Sequence, residues 1–411
     1  MNGWTGCGWT GQPLVVRWDD ETKAIMNLYS NKKSKEGLVE VIYATLDGYV
    51  YFYDMDDGSY TRDPIFLGMN FKGAGSLDPR GYPLLYVGSG DKLDGKSPRM
   101  YIVSLINGKI LHNQNGYDTS TKRWWFAFDS APLVHAESDT LIWPGESGII
   151  YTIKLNTKFN REKGKITVDP ETVVKTRYST KSSKTLGFES SCIAVDKYLY
   201  VGDNSGMLFC IDMNTMKLVW AQHTKDDINA TPVFEWGKDG KGYLYTATSM
   251  QYAKGNSYIY KLDAATGEIL WKKTYGDIVY DYNVSGGVLS SPLLGKPGTE
   301  MEGIIVYHIG RTPTSYAGIL VALDTETGDV IWENKMNNYT WSSPVAVYTD
   351  DGDSYIVICD SAGRASVLDA LTGETLDTVS MGANIEASPV VFENTVVVGT
   401  RGQRVYALSL G

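Results

Sequence analysis

In the second half of the chain, apolar and polar residues alternate with period two in short runs that end on one recurring phrase. It reads KLDAATGEILW from Lys261 to Trp271, ALDTETGDVIW from Ala322 to Trp332 and VLDALTGETLD from Val367 to Asp377. Such alternation predicts half-buried strands, and the x-x-Thr-Gly between each pair predicts a tight turn. Glycine supplies the positive φ of that turn and the aspartate accepts hydrogen bonds from turn amides, so Asp263, Asp324 and Asp369 are turn residues first. Trp271 and Trp332 fall in the returning strand, where a large flat side chain buries area between neighbouring sheets.

Weaker copies extend the register through the chain. FYDMDDGSY aligns on Asp54, IVSLINGKIL on Ser104, TIKLNTKF on Lys154, CIDMNTMKLVW on Asp212 and YALSLG on Ser409, which makes eight copies. Their spacing of roughly 40 to 60 residues suits one four-stranded propeller blade. A second phrase recurs between the anchors, from Ser130, Ser190, Ala230, Ser290, Ser342 and Ala387: a small polar pair entering a short apolar run. It suits the innermost strand of a blade, crowded around an axis, with proline near the strand start where it costs no ladder bond. The expected fold is all-β: an eight-bladed β-propeller of four-stranded antiparallel blades, one domain over 1–411. The last copy has only three strand-like segments, so its outer strand must come from elsewhere, and residues around Trp4 to Trp9 are the candidate. Lys163 to Lys184 reads as an elongated outer hairpin and connection of the third blade.

The run Ala322-x-Asp324-x-x-Thr327-Gly328-x-x-x-Trp332 resembles, at every position, the tryptophan-docking motif of the pyrroloquinoline-quinone (PQQ) dehydrogenase-like β-propellers. The copy ending at Trp271 matches except that Lys261 replaces the alanine. The chain is similar as well to the PQQ-like repeat proteins without enzyme activity, such as the outer-membrane assembly lipoprotein class. Fold resemblance alone implies no quinone. A dehydrogenase of the family is expected to hold PQQ against an aromatic residue and, in many members, a disulfide between adjacent cysteines, with a Glu/Asn-ligated metal and an Asp base. Adjacent cysteines are absent here; on the resemblance, Trp124 or Trp341 could supply the aromatic and Asp129, Glu189 or Asn283 could ligate calcium.

Composition narrows the classes further. With 48 acidic and 38 basic residues the formal net charge is −10, which argues against nucleic-acid binding, since phosphate backbones demand clustered cations. No run reaches the length of a membrane span and no export signal precedes Trp4. The resemblance places the protein outside the cell or in the cell envelope, its export signal trimmed from this chain; a monomer is expected. Cys7, Cys192, Cys210 and Cys359 are widely spaced and form no metal or disulfide pattern. Asp54-x-Asp56-Asp57-Gly58 resembles a calcium-loop opening but coincides with the repeat turn, and Asp350 to Asp353 lies between two strand-like runs as a hairpin turn.

In a propeller, the connections between blades and the loops between second and third strands share one face, and function concentrates on such loops. The connections bring Lys72, Trp124, Trp125, Asp129, Glu189, Asn229, Tyr282, Asn283, Trp341 and Glu386; the loops bring Asp91, Glu146, Asp203, Arg311, Asp360, Arg364 and Arg401. The ligand-binding candidates are Trp124, Trp125, Asp129, Glu189, Tyr282, Asn283, Arg311, Trp341, Asp360, Glu386 and Arg401, lining one funnel. Arg311 or Arg401 can equally neutralise Asp360 or Glu386. The expected function is a non-catalytic binding or scaffold propeller that presents this funnel to a protein partner or a small polar ligand, without cofactor. The alternative is a PQQ- and calcium-dependent dehydrogenase, or another enzyme using the funnel carboxylates; few histidines and no nucleophile–base pair favour the former.

Overall fold

The computed structural model describes residues 5–7, 11–90, 95–121, 123–181, 183, 186–251, 254–280 and 286–410. Eight antiparallel sheets follow one another as blades 1 (14–66), 2 (76–115), 3 (133–176), 4 (193–223), 5 (233–275), 6 (293–336), 7 (345–380) and 8 (390–409). All eight anchors end the third strand of their blade, from Asp54 in Tyr49–Asp54 to Ser409 in Val405–Ser409. Period-two patterning is realised most plainly in Tyr49–Asp54, where half-buried and buried residues alternate. Its inner side, Val50 and Phe52, packs with Leu85, Val87 and Val103 of blade 2. Such inter-blade layers form the core.

The recurring turn has one geometry. In blades 5, 6 and 7, Asp263, Asp324 and Asp369 each accept the amides two and three residues on and the threonine hydroxyl, at 2.8–3.2 Å. Gly267, Gly328 and Gly373 follow with φ of 75°, 74° and 71°. Each glycine also faces a tryptophan of the preceding blade: a Cβ would lie 2.6 Å from Trp220, 2.8 Å from Trp271 and 2.4 Å from Trp332. The indole nitrogens donate to Ala264 O, Thr325 O and Ala370 O at 3.0, 3.1 and 3.0 Å. Glycine is therefore required twice over, for the backbone and for the ring that lies on it. Lys261, the departure from the motif, reinforces its dock: buried over Tyr243 at 4.0 Å, it donates to the same Thr325 carbonyl at 2.8 Å.

Blade 1 docks differently. Arg62 donates to Leu105 O at 2.6 Å, the carbonyl that follows the Ser104 anchor as Ala264 follows Asp263. Its charge is met by Glu40, both side chains being fully buried, and Trp18 donates to the same carboxylate at 2.9 Å. Between the first two strands of blade 1 lie two short helices, Asp20–Ile25 and Ser30–Lys33, the former capped by Asp19. The polar stretch of blade 3 is a hairpin, Lys158–Asn160 with Lys165–Thr167, beginning earlier than the sequence suggested, and it pairs Arg161 with Glu21 at 2.6 Å. The outer strand of blade 3 comes after it, at Val174–Thr176.

The ring closes through Cys7, whose amide donates to Thr400 O, while Leu46 donates to Gly6 O. This corrects the expectation that the N-terminal residues form the outer strand of blade 8: Gly6 and Cys7 lie between blades 8 and 1, where an inter-blade connection belongs, and Trp4 and Trp9 lie outside the described residues. Space at that position is narrow, since a Cβ on Gly399 would meet Cys7 at 2.3 Å. Blade 8 has three described strands. The four cysteines are buried and unpaired, and burial pushes the thiols of Cys7, Cys192, Cys210 and Cys359 up to about 12.

The dock sets a graded stability series for denaturant unfolding. Trp332→Ala is expected to cost about 3–5 kcal/mol, and Asp353→Ala, at an exposed turn, about 0.5 kcal/mol or less. Gly373→Ala and Gly240→Ala both place a side chain at positive φ, but no atom lies within 4 Å of a Cβ at Gly240. Gly240→Ala is expected to cost about 1–2 kcal/mol, and Gly373→Ala about 3 kcal/mol or more because overpacking adds to the strain. Equal losses for the two glycine variants would contradict the docking role.

Candidate functional site

The two loop sets are joined on one face by backbone hydrogen bonds. Glu146 donates to Ala127 O, Ile228 to Asp203 O, Val279 to Arg311 O, Ser361 to Tyr339 O, Ile385 to Asp360 O and Arg401 to Asn384 O, all at 2.9–3.3 Å. Connections and second-to-third-strand loops thus interleave around the axis, as the register required. Below them the small residues of the inner phrase form a ring: the amides of Ala131, Thr231, Ser291 and Ser343 donate to the hydroxyls of Ser191, Ser291, Ser343 and Ser388 in the next blades at 2.8–3.1 Å. Together they enclose an axial cavity of about 200 Å³, whose wall includes Asp129, Glu189 and Asn229.

Behind that wall lies an acidic network centred on Arg123. Its guanidinium is 3.1 Å from Glu189 and 3.7 Å from Glu146, and it donates to Asn204. Asn204 donates to Asp227 at 2.9 Å, and Asn229 donates to Asp227 at 3.0 Å and to Ser249 at 3.1 Å. Burial, then the charges of Asp129 and Glu189, hold the Glu146 carboxyl well above the usual carboxylate range. Asp227 is raised likewise by burial and then by Glu189. Asp203 accepts the amides of Ser205 and Met207 with one oxygen, while its other oxygen is buried without a hydrogen bond, and burial pushes the group up to about 7.

Across the ring stands a cationic and aromatic group. Arg311, at φ 58°, lies 4.1 Å above the Tyr339 ring and 6.0 Å from that of Trp341, so Arg311 and Trp341 share a face. On the connection into blade 3, Trp125 receives Lys72 at 5.6 Å, and Trp124 meets Tyr117 and Phe126 edge-on at 5.9 and 6.0 Å. Asp360 serves its own turn, pairing with Arg364 at 2.8 Å and capping two amides. Glu386 lies 3.8 Å from Arg401. Asp129 and Glu189 share the axial cavity, and Arg311 and Trp341 form a separate group; Tyr282, Asn283 and Asp91 lie outside the described residues. The sequence reading missed Arg123, Asn204, Asp227, Tyr316 and Tyr339. Arg123 precedes Trp124 and Asn204 follows Asp203, so their loops were already marked; what was missing was the distance across blades.

Asp203 gives a pH dependence. The folded protein keeps a proton that the unfolded chain releases above about pH 4, so this group's contribution to stability falls as pH rises from about 4 to about 7 and stays low above it. Asp203→Asn retains the oxygen that accepts both amides and removes the charge. The melting temperature of this variant, relative to the unaltered protein, is expected to be higher at pH 8 than at pH 5; a constant difference across that range would count against the buried neutral carboxyl.

Comparison with known proteins agrees with this architecture. The BamB structure from Moraxella catarrhalis superposes with a TM-score of 0.62 at 15% identity, covering 96% of this chain and 98% of that one, a likeness of fold. The quinoprotein ethanol dehydrogenase of Pseudomonas aeruginosa is 24% identical over 155 residues, 38% of this chain and 24% of that protein. The outer membrane protein assembly factor BamB of Legionella pneumophila is 20% identical over 229 residues, 56% of this chain and 52% of that protein. The chain thus matches about a quarter of the length of the dehydrogenase and about half of that BamB. Residues 163–277 and 316–410, half of the chain, match the family described as outer membrane protein assembly factor BamB, and the chain belongs to that PQQ-like repeat family.

Proposed function

We propose that the chain is a non-catalytic scaffold of the cell envelope whose funnel face docks a protein partner. The observation that carries this reading is the braced exposure of aromatics on that face. Trp124 is 67% exposed yet held by Tyr117 and Phe126, and Tyr316 is 74% exposed, its carbonyl bonded to the Tyr339 amide. Rigid aromatics beside arginine are the side chains that dominate protein interfaces, because they bury much area at little entropic cost. The family and the BamB relatives support an assembly role in the envelope.

PQQ with calcium is a poor match to the channel mouth. The axial cavity of about 200 Å³ is smaller than the range usual for organic ligands. Asp129 and Glu189 line it, like charges to a planar tricarboxylate. Among the described residues, no three His, Cys, Asp or Glu side chains are grouped to hold a metal ion. No catalytic step is therefore derived through the quinone.

Two measurements test the reading. Titration of the protein with PQQ and calcium chloride is expected to give no saturable absorbance or fluorescence change; a saturable one would restore the dehydrogenase alternative. A photo-crosslinking residue at Trp124 or Tyr316 is expected to capture a discrete envelope protein in cells, whereas one at Asp351, in a turn at the other end of the strands, is not. Arg311→Ala with Trp341→Ala is expected to reduce that capture about tenfold or more, the scale of losing an interface hot spot, with the melting temperature little altered. Undiminished capture would move the docking site off the funnel.

A further inference from the structure

Among the described residues, blade 8 leaves its outer edge unpaired: no strand pairs the outer side of Val405–Ser409. The register identifies which groups lie bare. Thr400 donates to Arg404 O and Leu410 to Asn394 O, while Val398 stands opposite Tyr406 and Val396 opposite Leu408. Since antiparallel pairs alternate between bonded and non-bonded, Tyr406 and Leu408 direct their backbone groups to the neighbouring strand, and Val405, Ala407 and Ser409 direct theirs outward. Such a row of N–H and C=O groups is a template for an added strand.

The space beside this edge is walled on both sides. Between blades 7 and 8 runs a groove of about 760 Å³, lined by Val357, Val367, Val379 and Leu408, with Val379 and Leu376 45% and 53% exposed. On the opposite side, blade 1 turns a tyrosine face to blade 8. Tyr43 packs with Cys7 and Ala387, Tyr51 is its cross-strand partner, and Tyr51, Tyr53 and Tyr60 stack with centroids 5.3–6.3 Å apart. The succession of tryptophan docks stops here. Asp377, opposite Val367, stands where Trp332 stands opposite Ala322. Asp377 and Asp350 line the groove together with Glu393, which pairs with Arg17 at 2.8 Å, and among the described residues no lysine or arginine lines it.

We propose that the open edge of blade 8 is a strand-addition site for an extended, cationic, β-branched segment of a partner protein. The backbone ladder to Val405, Ala407 and Ser409 supplies affinity. Apolar side chains on one face of the added strand fill the groove of blade 7, and lysines or arginines on that same face meet Asp350 and Asp377, while the alternate residues lie against the blade 1 tyrosines. This site is separate from the funnel and does not depend on the assignment made there.

The probe is a synthetic peptide, acetyl-Lys-Thr-Val-Thr-Val-Thr-Lys-amide, whose lysines and valines share one face, with a control in which both lysines are glutamate. In the free protein the amides of Val405, Ala407 and Ser409 are expected to exchange rapidly with deuterium, and the lysine peptide is expected to protect them. It is expected to bind about tenfold or more tighter than the glutamate peptide, with an advantage that shrinks as salt rises. Ala407→Pro removes one outward donor while sparing the ladder to the neighbouring strand, so it should abolish peptide binding without lowering the melting temperature much; Ala407→Val should retain binding, as should Arg311→Ala with Trp341→Ala. Absence of protection by the peptide would overturn the proposal, and so would equal affinity for the two peptides. Protection already present without peptide would overturn it as well, identifying the occupant as the chain's own residues if independent of protein concentration and as a second copy if concentration-dependent.

Discussion

A single backbone carbonyl per interface organises much of this ring. It follows the anchor at the end of the third strand, and the preceding blade sends a donor into it: Trp220 to Ala264 O, Trp271 to Thr325 O and Trp332 to Ala370 O. A buried carbonyl left unpaired is costly, and a tryptophan answers it while burying a large apolar surface against the turn glycine. Blade 1 meets the same demand at Leu105 O with Arg62, and the cost of burying that charge is offset by Glu40 and further hydrogen bonds. Different side chains thus satisfy one geometric requirement, and the recurring phrase is its trace in sequence.

The funnel follows from the same regularity. Because each blade places its connection and its second-to-third-strand loop on one face, polar residues that no local rule would bring together share the axis. Loops of all eight blades are stitched to the connections by amides, and side chains such as Arg123 reach across from one blade to another. The outcome is uneven. Blades 3 to 5 gather buried carboxyls held in their neutral form chiefly by burial, with Glu189 adding to the effect on Glu146 and Asp227, whereas blades 6 and 7 gather Arg311 with two aromatic rings. A partner bound across this face would meet the exposed aromatics and Arg311, the carboxyls of blades 3 to 5 being buried.

Blade 8 shows what the regularity protects. Where the docking tryptophan is replaced by Asp377 and the fourth strand is missing from the described sheet, blade 7 exposes its outer strand from Thr375 to Ser380 along its whole length. The adjacent tyrosines of blade 1 are likewise half covered. Edge strands in stable proteins are usually blunted or covered, and this one is flanked by acidic side chains and apolar walls instead.

Sequence alone determined the architecture, because the docking phrase is local. The aspartate, threonine and glycine act within one turn, and a repeat of them counts the blades; the anchors from Asp54 to Ser409 all fall where the alternation put them. It determined as well that Trp332 is buried and that the acidic runs at Asp54 and Asp350 are turns. Tertiary structure decided the pairings between blades. That Glu386 faces Arg401 while Asp360 turns back to Arg364, that Arg123 lies among Glu146, Glu189 and Asn204, and that Cys7 completes a connection rather than a strand all depend on distances between residues far apart in the chain. Hydrophobic periodicity carries no information about those distances, since a side chain's partner across the axis is set by blade number and loop geometry and leaves no mark on its own neighbours in sequence.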